Sequence, residues 1–221
     1  MSILKNQFSF IIFDWDGTLM DSTARIVSAM QATARQANLP EPSEQAVKSI
    51  IGLSMQAVMD EMFPDADKER REELFEIYRY QYVEGDTTPS PLFEGTIPLL
   101  DWLKSIDIPI AIATGKARIG LERVLKDVGL LGFFDYSICA DEAHSKPHPQ
   151  MVNRLLERAG KLHQETLVLG DSIHDLKMAK SAGVKAVGVT SGANSHAELD
   201  LYDPVVILER VCHLREWLQQ D

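Results

Sequence analysis

The sequence predicts an α/β protein: a parallel sheet with helices on both faces, and a small all-α module inserted after its first strand. Three observations predict it. Short apolar runs recur along the chain and alternate with helical periods, the pattern of strand–helix–strand units. One stretch, residues 21–84, holds helical patterns alone. And each of several apolar runs is followed at once by acidic, hydroxyl or glycine residues, as expected where the carboxyl ends of parallel strands form a ligand-binding rim.

The strand expectations are Phe8–Phe13, Ile108–Ala113, Tyr136–Ile138, Leu167–Leu169, Lys185–Val189 and Pro204–Ile207. Between the second and third, LERVLKDVGL puts Leu121, Val124, Leu125 and Val128 on one helical face, with Gly129 as the stop. Pro149 opens a further helix that aligns Met151, Val152, Leu155, Leu156 and Ala159. Asp171 or Ser172 caps another, which runs to about Ala182 and ends at Gly183. Inside 21–84 the helical patterns are Ile26/Val27/Met30/Ala34, Ala46–Ile51, Met55–Met62 and Lys68–Val83. Asn38-Leu39-Pro40, Gly52 and Phe63-Pro64 separate them. The chain leaves this module through GDTTPSPLFEG, Gly85–Gly95, a linker rich in Pro and Gly. The expected division is 1–18 with 92–221 for the α/β core, and 19–91 for the helical module with its hinges. Both junctions fall near the end of the first strand, where the module could open and close over a ligand.

Composition narrows the function. The 221 residues, 45% hydrophobic, suffice for a core domain with a modest insertion. With 33 acidic against 22 basic residues the formal charge is −11, which opposes nucleic acid and anionic membrane as partners. An anionic substrate would need a local positive site. Cys139 and Cys212 are far apart and have neither disulfide-framework nor metal-binding spacing, so a reduced, cytoplasmic setting is expected. The start, MSILKNQFSFIIF, has no cleavage-site pattern and is too short to span a bilayer.

The chemistry concentrates at four places. FSFIIF leads into Asp14 and Asp16, IPIAIA into Thr114 and Gly115, and LVL into Gly170 and Asp171, with Asp175 one helical turn on. Lys146 lies in the loop HSKPHP. Two unit charges about 4 Å apart interact by roughly 4 kcal/mol at an effective dielectric near 20. Asp14, Asp171 and Asp175 would therefore be frustrated without a cation. A hard dication with oxygen ligands resolves this, and Mg²⁺ suits carboxylates plus a substrate phosphate. Lys146 adds positive charge on the far side. Thr114 Oγ1 and the amides after it, at a helix N-terminus, are candidates to hold phosphate oxygens. Taken singly, each motif has an ordinary reading as a turn, a cap or a solvated lysine. Their joint placement at one sheet edge does not.

The four segments Asp14-Trp15-Asp16-Gly17-Thr18-Leu19, Thr114-Gly115, Lys146-Pro147 and Gly170-Asp171-Ser172-Ile173-His174-Asp175 resemble the motifs of the haloacid dehalogenase-like superfamily, in order and across nearly the whole chain. The helical module resembles that superfamily's α-helical cap, and the chain is most similar to its phosphoglycolate phosphatase-like branch. The resemblance implies a Rossmann-like core and a Mg²⁺-dependent phosphomonoester hydrolase acting on a small phosphorylated metabolite. It implies Asp14 as nucleophile forming an aspartyl-phosphate, and Asp16 as general acid and then base, its carbonyl also a Mg²⁺ ligand. Asp171 would be the third protein ligand and Asp175 would stand behind the ligands. Thr114, Gly115 and Lys146 would bind phosphate.

The resemblance also leaves alternatives. Dehalogenases lack the second aspartate, so Asp16 argues against that activity. Sugar-phosphate mutases carry a hinge histidine where this chain has Ile26 and a cap-loop arginine near Met55; phosphonate-cleaving relatives place a lysine there. Phospho-signalling receivers combine a similar acidic cluster with Thr and Lys, but are shorter and uncapped. Substrate specificity is expected from the cap loop Lys48–Met55, with Gly52 allowing close approach, and from Arg25 and Lys48 as readers of a second anionic group. His144, His148 and His174, the methionines Met55, Met59 and Met62, and the charged run DKERREELFE read as core or solvated surface. Lys116 reads either as added charge near the phosphate or as part of a first helical turn.

Overall fold

The computed structural model describes residues 8–220; residues 1–7, on which part of the leader reading falls, lie outside them. Six parallel strands form one sheet: β1 (Phe10–Phe13), β2 (Ile110–Ala113), β3 (Tyr136–Ile138), β4 (Thr166–Gly170), β5 (Lys185–Val189) and β6 (Val206–Leu208), in the order β3-β2-β1-β4-β5-β6. Tyr136–Ile138 and Lys185–Val189 match the expected bounds. At the other strands the expectation errs by one or two residues at an end, because an apolar run such as that around Val206 carries no boundary of its own.

Each strand sends alternate residues to opposite faces. Ile11, Phe13, Ile110, Ile112, Leu167 and Leu169 pack against α5 (Thr96–Ser105), α6 (Arg118–Asp127) and α10 (Leu214–Gln219). Phe10, Ile12, Ala111, Ala113 and Val168 pack against α7 (Gln150–Ala159), α8 (Ile173–Ser181) and α9 (His196–Asp200). With both faces covered the strands read as continuous apolar runs, as parallel sheets do.

Four helices, α1 (Thr23–Gln36), α2 (Glu44–Ser49), α3 (Met55–Met62) and α4 (Lys68–Tyr80), form a separate apolar cluster around Met30, Val47, Val58, Met59 and Leu74. Helix α4 ends at Tyr80 and passes into a π-helical turn, Gln81–Gly85, which covers the rest of the expected helical period. Leu19 and Met20 bury their side chains with the sheet and Leu92 packs against them, partly buried, so the packing of residues 19 and 20 follows the core and not the helices. The two crossings run side by side: Asp21 N donates to Pro91 O at 2.8 Å and Phe93 N to Leu19 O at 3.0 Å. Among the described residues, no helix is long and apolar enough to cross a membrane.

Candidate active site

Parallel register brings the four motifs to one rim. Phe13 is level with Ile112 of β2 and Leu169 of β4. Asp14 therefore leaves the sheet between the ends of two neighbouring strands, one continuing to Thr114 and the other to Asp171. Asp14 N still donates to Leu169 O at 2.9 Å, which fixes where its side chain begins.

Lys146 is the centre of charge. Its side chain is fully buried, with Nζ 2.5 Å from Asp14 Oδ1 and 2.6 Å from Asp175 Oδ1. Burial alone would lower its pKa, but Asp14 and Asp175 outweigh burial and raise it, so the ammonium stays charged. Asp175 is doubly engaged. Its other oxygen accepts from Ser172 N at 3.2 Å and Ser172 Oγ at 2.6 Å, closing the capping box that starts α8. Ser172, not Asp171, is the cap.

Asp171 is held from two sides. Thr18 Oγ1 donates to its Oδ1 at 2.9 Å and Ala193 N to its Oδ2 at 2.7 Å. Burial, then the charge of Asp175, pushes its carboxyl up to about 7, while those two donors hold it down. Burial likewise pushes Asp14 well above the usual carboxylate range, against the pull of Lys146 and with Asp175 and Asp171 adding to the rise. Asp14, Asp171 and Asp175 offer carboxylate oxygens that all lie within 4.8 Å of one another. Asp14 Oδ2 is buried with no hydrogen-bond partner among the described residues. An all-oxygen donor set with an orphaned buried acceptor fits a hard divalent cation.

Asp16 stands apart from this cluster. Its Oδ1 accepts from Ser22 Oγ at 2.6 Å and its Oδ2 lies 3.0 Å from Lys116 Nζ. Lys116 also donates to Tyr82 Oη at 3.3 Å. Burial would lower the pKa of Lys116, yet Asp16 and Tyr82 raise it. Thr114 is buried, and its Oγ1 accepts from Lys116 N at 3.2 Å. Two of the amides beyond it are engaged: besides Lys116 N, Arg118 N donates to Asp141 Oδ1 at 3.0 Å. Asp141 caps α6 from outside, so the N–H groups of Lys116 and Arg118 are engaged within the protein.

The helical module closes directly on this rim. A Cβ on Gly115 would stand 2.3 Å from Leu53 O and 2.7 Å from Gly52 O, so only glycine admits the module's α2–α3 loop at that distance. Ser54 N donates to Ser145 Oγ at 2.7 Å, and His174 Nε2 lies 2.9 Å from Ser49 O. His174 is thus a contact to the module rather than to the acids. The proposed readers of a second anion are engaged elsewhere. Arg25 donates to Tyr82 O at 3.0 Å and Thr88 O at 3.4 Å, pinning the exit linker, and Lys48 pairs with Glu44 at 2.6 Å. In the charged run, Arg71 bonds Asp60, Phe63 O and Pro64 O, so it ties α3 to α4 rather than only facing solvent.

Thr18 belongs to the first motif, but two contributors were not singled out from the sequence: Ser22 and the loop after β5. That loop acts through main-chain atoms. A Cβ on Gly192 would fall 2.0 Å from Asp171 Oδ2, so Gly192→Ala must displace the carboxylate or the loop. The expected result is a loss of at least about tenfold in kcat/KM with little change in substrate KM, read by steady-state kinetics. The available clue was TSGANS directly after an apolar run, a glycine-bearing loop at the same sheet edge.

Known proteins resemble this chain over most of its length. A family model described as haloacid dehalogenase-like hydrolase matches residues 11–189. A Dickeya dadantii protein named "Probable phosphatase IndB" is 34% identical over 203 residues, covering 90% of this chain and 88% of its own. The phosphoglycolate phosphatase of Agrobacterium fabrum is 31% identical over 204 residues, covering 89% and 86%. The pyrophosphatase PpaX of Bacillus mycoides is 30% identical over 205 residues, covering 92% and 94%. Among solved structures, a hydrolase from Pseudomonas syringae superposes with a TM-score of 0.87 at 26% identity, over 96% of this chain and 97% of its own. The chain belongs to the haloacid dehalogenase-like hydrolases, as one of their phosphatases.

Proposed function

We propose that the chain is a Mg²⁺-dependent phosphomonoesterase that hydrolyses a small phosphorylated metabolite through an aspartyl-phosphate on Asp14. One observation supports this above the others: Asp14 Oδ2 is buried without a partner among the described residues, inside a cluster of acids that Lys146 only half neutralises. Asp14 and Asp171, with the main-chain carbonyl of Asp16, would hold the metal, and Asp175 stands behind them on Lys146 and Ser172. When bound, the dication offsets the carboxylate repulsion and polarises a phosphoryl oxygen.

The protein's own residues account for the rest. Lys146 holds Asp14 in place and lowers the barrier to its approach to an anion. Asp14 attacks phosphorus, the bond from phosphorus to the alcohol oxygen breaks, and that oxygen takes a proton from Asp16. A water then returns a proton to Asp16 and attacks the same phosphorus, releasing inorganic phosphate and regenerating Asp14. Ser22 and Lys116 hold Asp16 apart from the acid cluster. Thr114 and Gly115 border the phosphate site, and the helical module acts as a cap that excludes water. A mutase would call for histidine and arginine near Ile26 and Met55; both positions instead line an apolar cavity. Free Cys139 and Cys212 suit a cytoplasmic setting, and the acidic charge disfavours nucleic acid or membrane as partners.

The test is hydrolysis of a generic aryl phosphate by metal-stripped protein before and after adding Mg²⁺. Turnover on addition supports the reading. A stable single phosphorylation without turnover would point to a receiver, and neither result would sink both.

A second measurement follows from linkage. Burial and the charge of Asp175 push the Asp171 carboxyl up to about 7 from an ordinary value of 3.8, so the folded state holds more protons than the unfolded one between those values. Stability from this group is complete below the lower value and is lost as pH rises through the upper. Mg²⁺ should therefore raise the melting temperature by at least about 3 °C at pH 7.5 and by less at pH 5.5, read by thermal scans with and without chelator.

A further inference from the structure

The space beyond Asp16 says what kind of alcohol the substrate carries. A cavity of about 670 Å³ lies between the helical module and the core, within the range of roughly 300–1,000 Å³ typical of small-molecule sites. At its inner end it is bounded by Asp16, Gly115 and Lys116, the point where the leaving oxygen would be protonated. Its walls are apolar: Ile26, Met30, Leu53, Met55, Val58 and Phe75. Three further lining residues, Val83, Ile119 and Leu131, are 36%, 81% and 60% exposed. These side chains are among the few large hydrophobic groups on the described surface left open to water.

The cations on these walls are engaged or sit at the outer edge. Arg79 pairs with Glu76 at 2.7 Å and Lys116 with Asp16 at 3.0 Å. Arg123 lies over the Tyr82 ring at 5.8 Å, and Lys126 is exposed near Glu122. A short acid such as glycolate would leave most of the volume unfilled, and the cation at the inner end, Lys116, is already paired with Asp16.

We propose that the substrate is a phosphomonoester of an apolar alcohol, whose alkyl or aryl body fills this cavity while the phosphoryl group lies at Asp14. The proposal rests on the phosphatase reading above and narrows it to a substrate class. Binding of the leaving group then comes from area removed from water.

The experiment is the n-alkyl phosphate series ethyl, butyl and hexyl, with 2-phosphoglycolate alongside, assayed for phosphate release by the Mg²⁺-loaded full chain. The alkyl alcohols have closely similar leaving-group acidity, so the series isolates the apolar body. Full burial corresponds to up to about fourfold per methylene. The expected result is a rise in kcat/KM of at least about tenfold from ethyl to hexyl, carried mainly by KM, with hexyl phosphate exceeding 2-phosphoglycolate. Ile119→Glu, at an exposed position and so compatible with folding, should lower the hexyl-to-ethyl ratio at least about threefold. A flat or falling series, or 2-phosphoglycolate preferred over hexyl phosphate, overturns the proposal and leaves the phosphatase reading standing. No hydrolysis of any of these esters or of the aryl phosphate overturns both.

Discussion

Lys146→Met is expected to destabilise the fold by about 3–5 kcal/mol and to lower kcat/KM at least about a thousandfold. The two losses have one origin. Lys146 Nζ is the cation that touches both Asp14 and Asp175, at 2.5 and 2.6 Å, and all three side chains are buried. Methionine matches the length of the aliphatic stem but leaves two desolvated carboxylates facing each other. Catalysis loses the charge that lets a carboxylate approach a phosphate, and stability loses the partner of two buried anions. For a chain of this size the destabilisation corresponds to a fall of roughly 10 °C in melting temperature. Urea unfolding in chelator measures it directly. A double variant, Lys146→Met with Asp14→Asn, should recover part of the stability and none of the activity, because removing one anion relieves the other. If the double variant is no more stable than Lys146→Met alone, the loss is packing and not charge.

Asp14→Asn separates the two roles. Turnover should fall at least about a thousandfold, since an amide oxygen cannot form the phosphoryl ester. Stability should not fall, and in chelator at neutral pH it should rise. Burial already pushes the Asp14 carboxyl well above its usual range, so the native ionised group is a cost to the metal-free fold that a neutral isostere removes. Asparagine keeps an acceptor for Lys146, and its NH₂ occupies the position of the unpartnered Oδ2. Mg²⁺ should then give a smaller thermal shift than in the parent chain. Appreciable residual hydrolysis would contradict the assignment of the nucleophile.

Most of the architecture was legible in the sequence because a parallel sheet covered on both faces announces itself twice, through apolar runs and through the polar residues that end them. Asp14, Thr114, Lys146 and Asp171 could be gathered to one rim from that pattern alone. What could not be read was which charges the fold engages locally. Arg25 and Lys48 look like free cations in sequence, but one is bound to main-chain carbonyls of Tyr82 and Thr88 and the other to Glu44 a helical turn away. Lys116 has the opposite history: its partner Asp16 is a hundred residues distant, beyond any local pattern. Ala193 contributes only an N–H, a group every residue but proline carries. The cavity was hidden for a related reason. Helical periodicity marks Met30, Met55 and Val58 as apolar, but it does not distinguish a side chain packed into a core from one that lines a space.

The position of β1 in the sheet has a consequence for how the protein is made. It is the first of the described strands in sequence, yet its two neighbours are β2 and β4, and the bonds that assemble the site join residues 132 and 153 positions apart. During synthesis, Asp14 waits beside an unzipped hydrophobic edge until β4 and Asp171, more than a hundred and fifty positions later, have left the ribosome. Products terminated before β4 therefore present bare strand edges to chaperones and proteases, and none of them carries the assembled acid cluster. The centre is assembled late and in one step, when β4 joins β1.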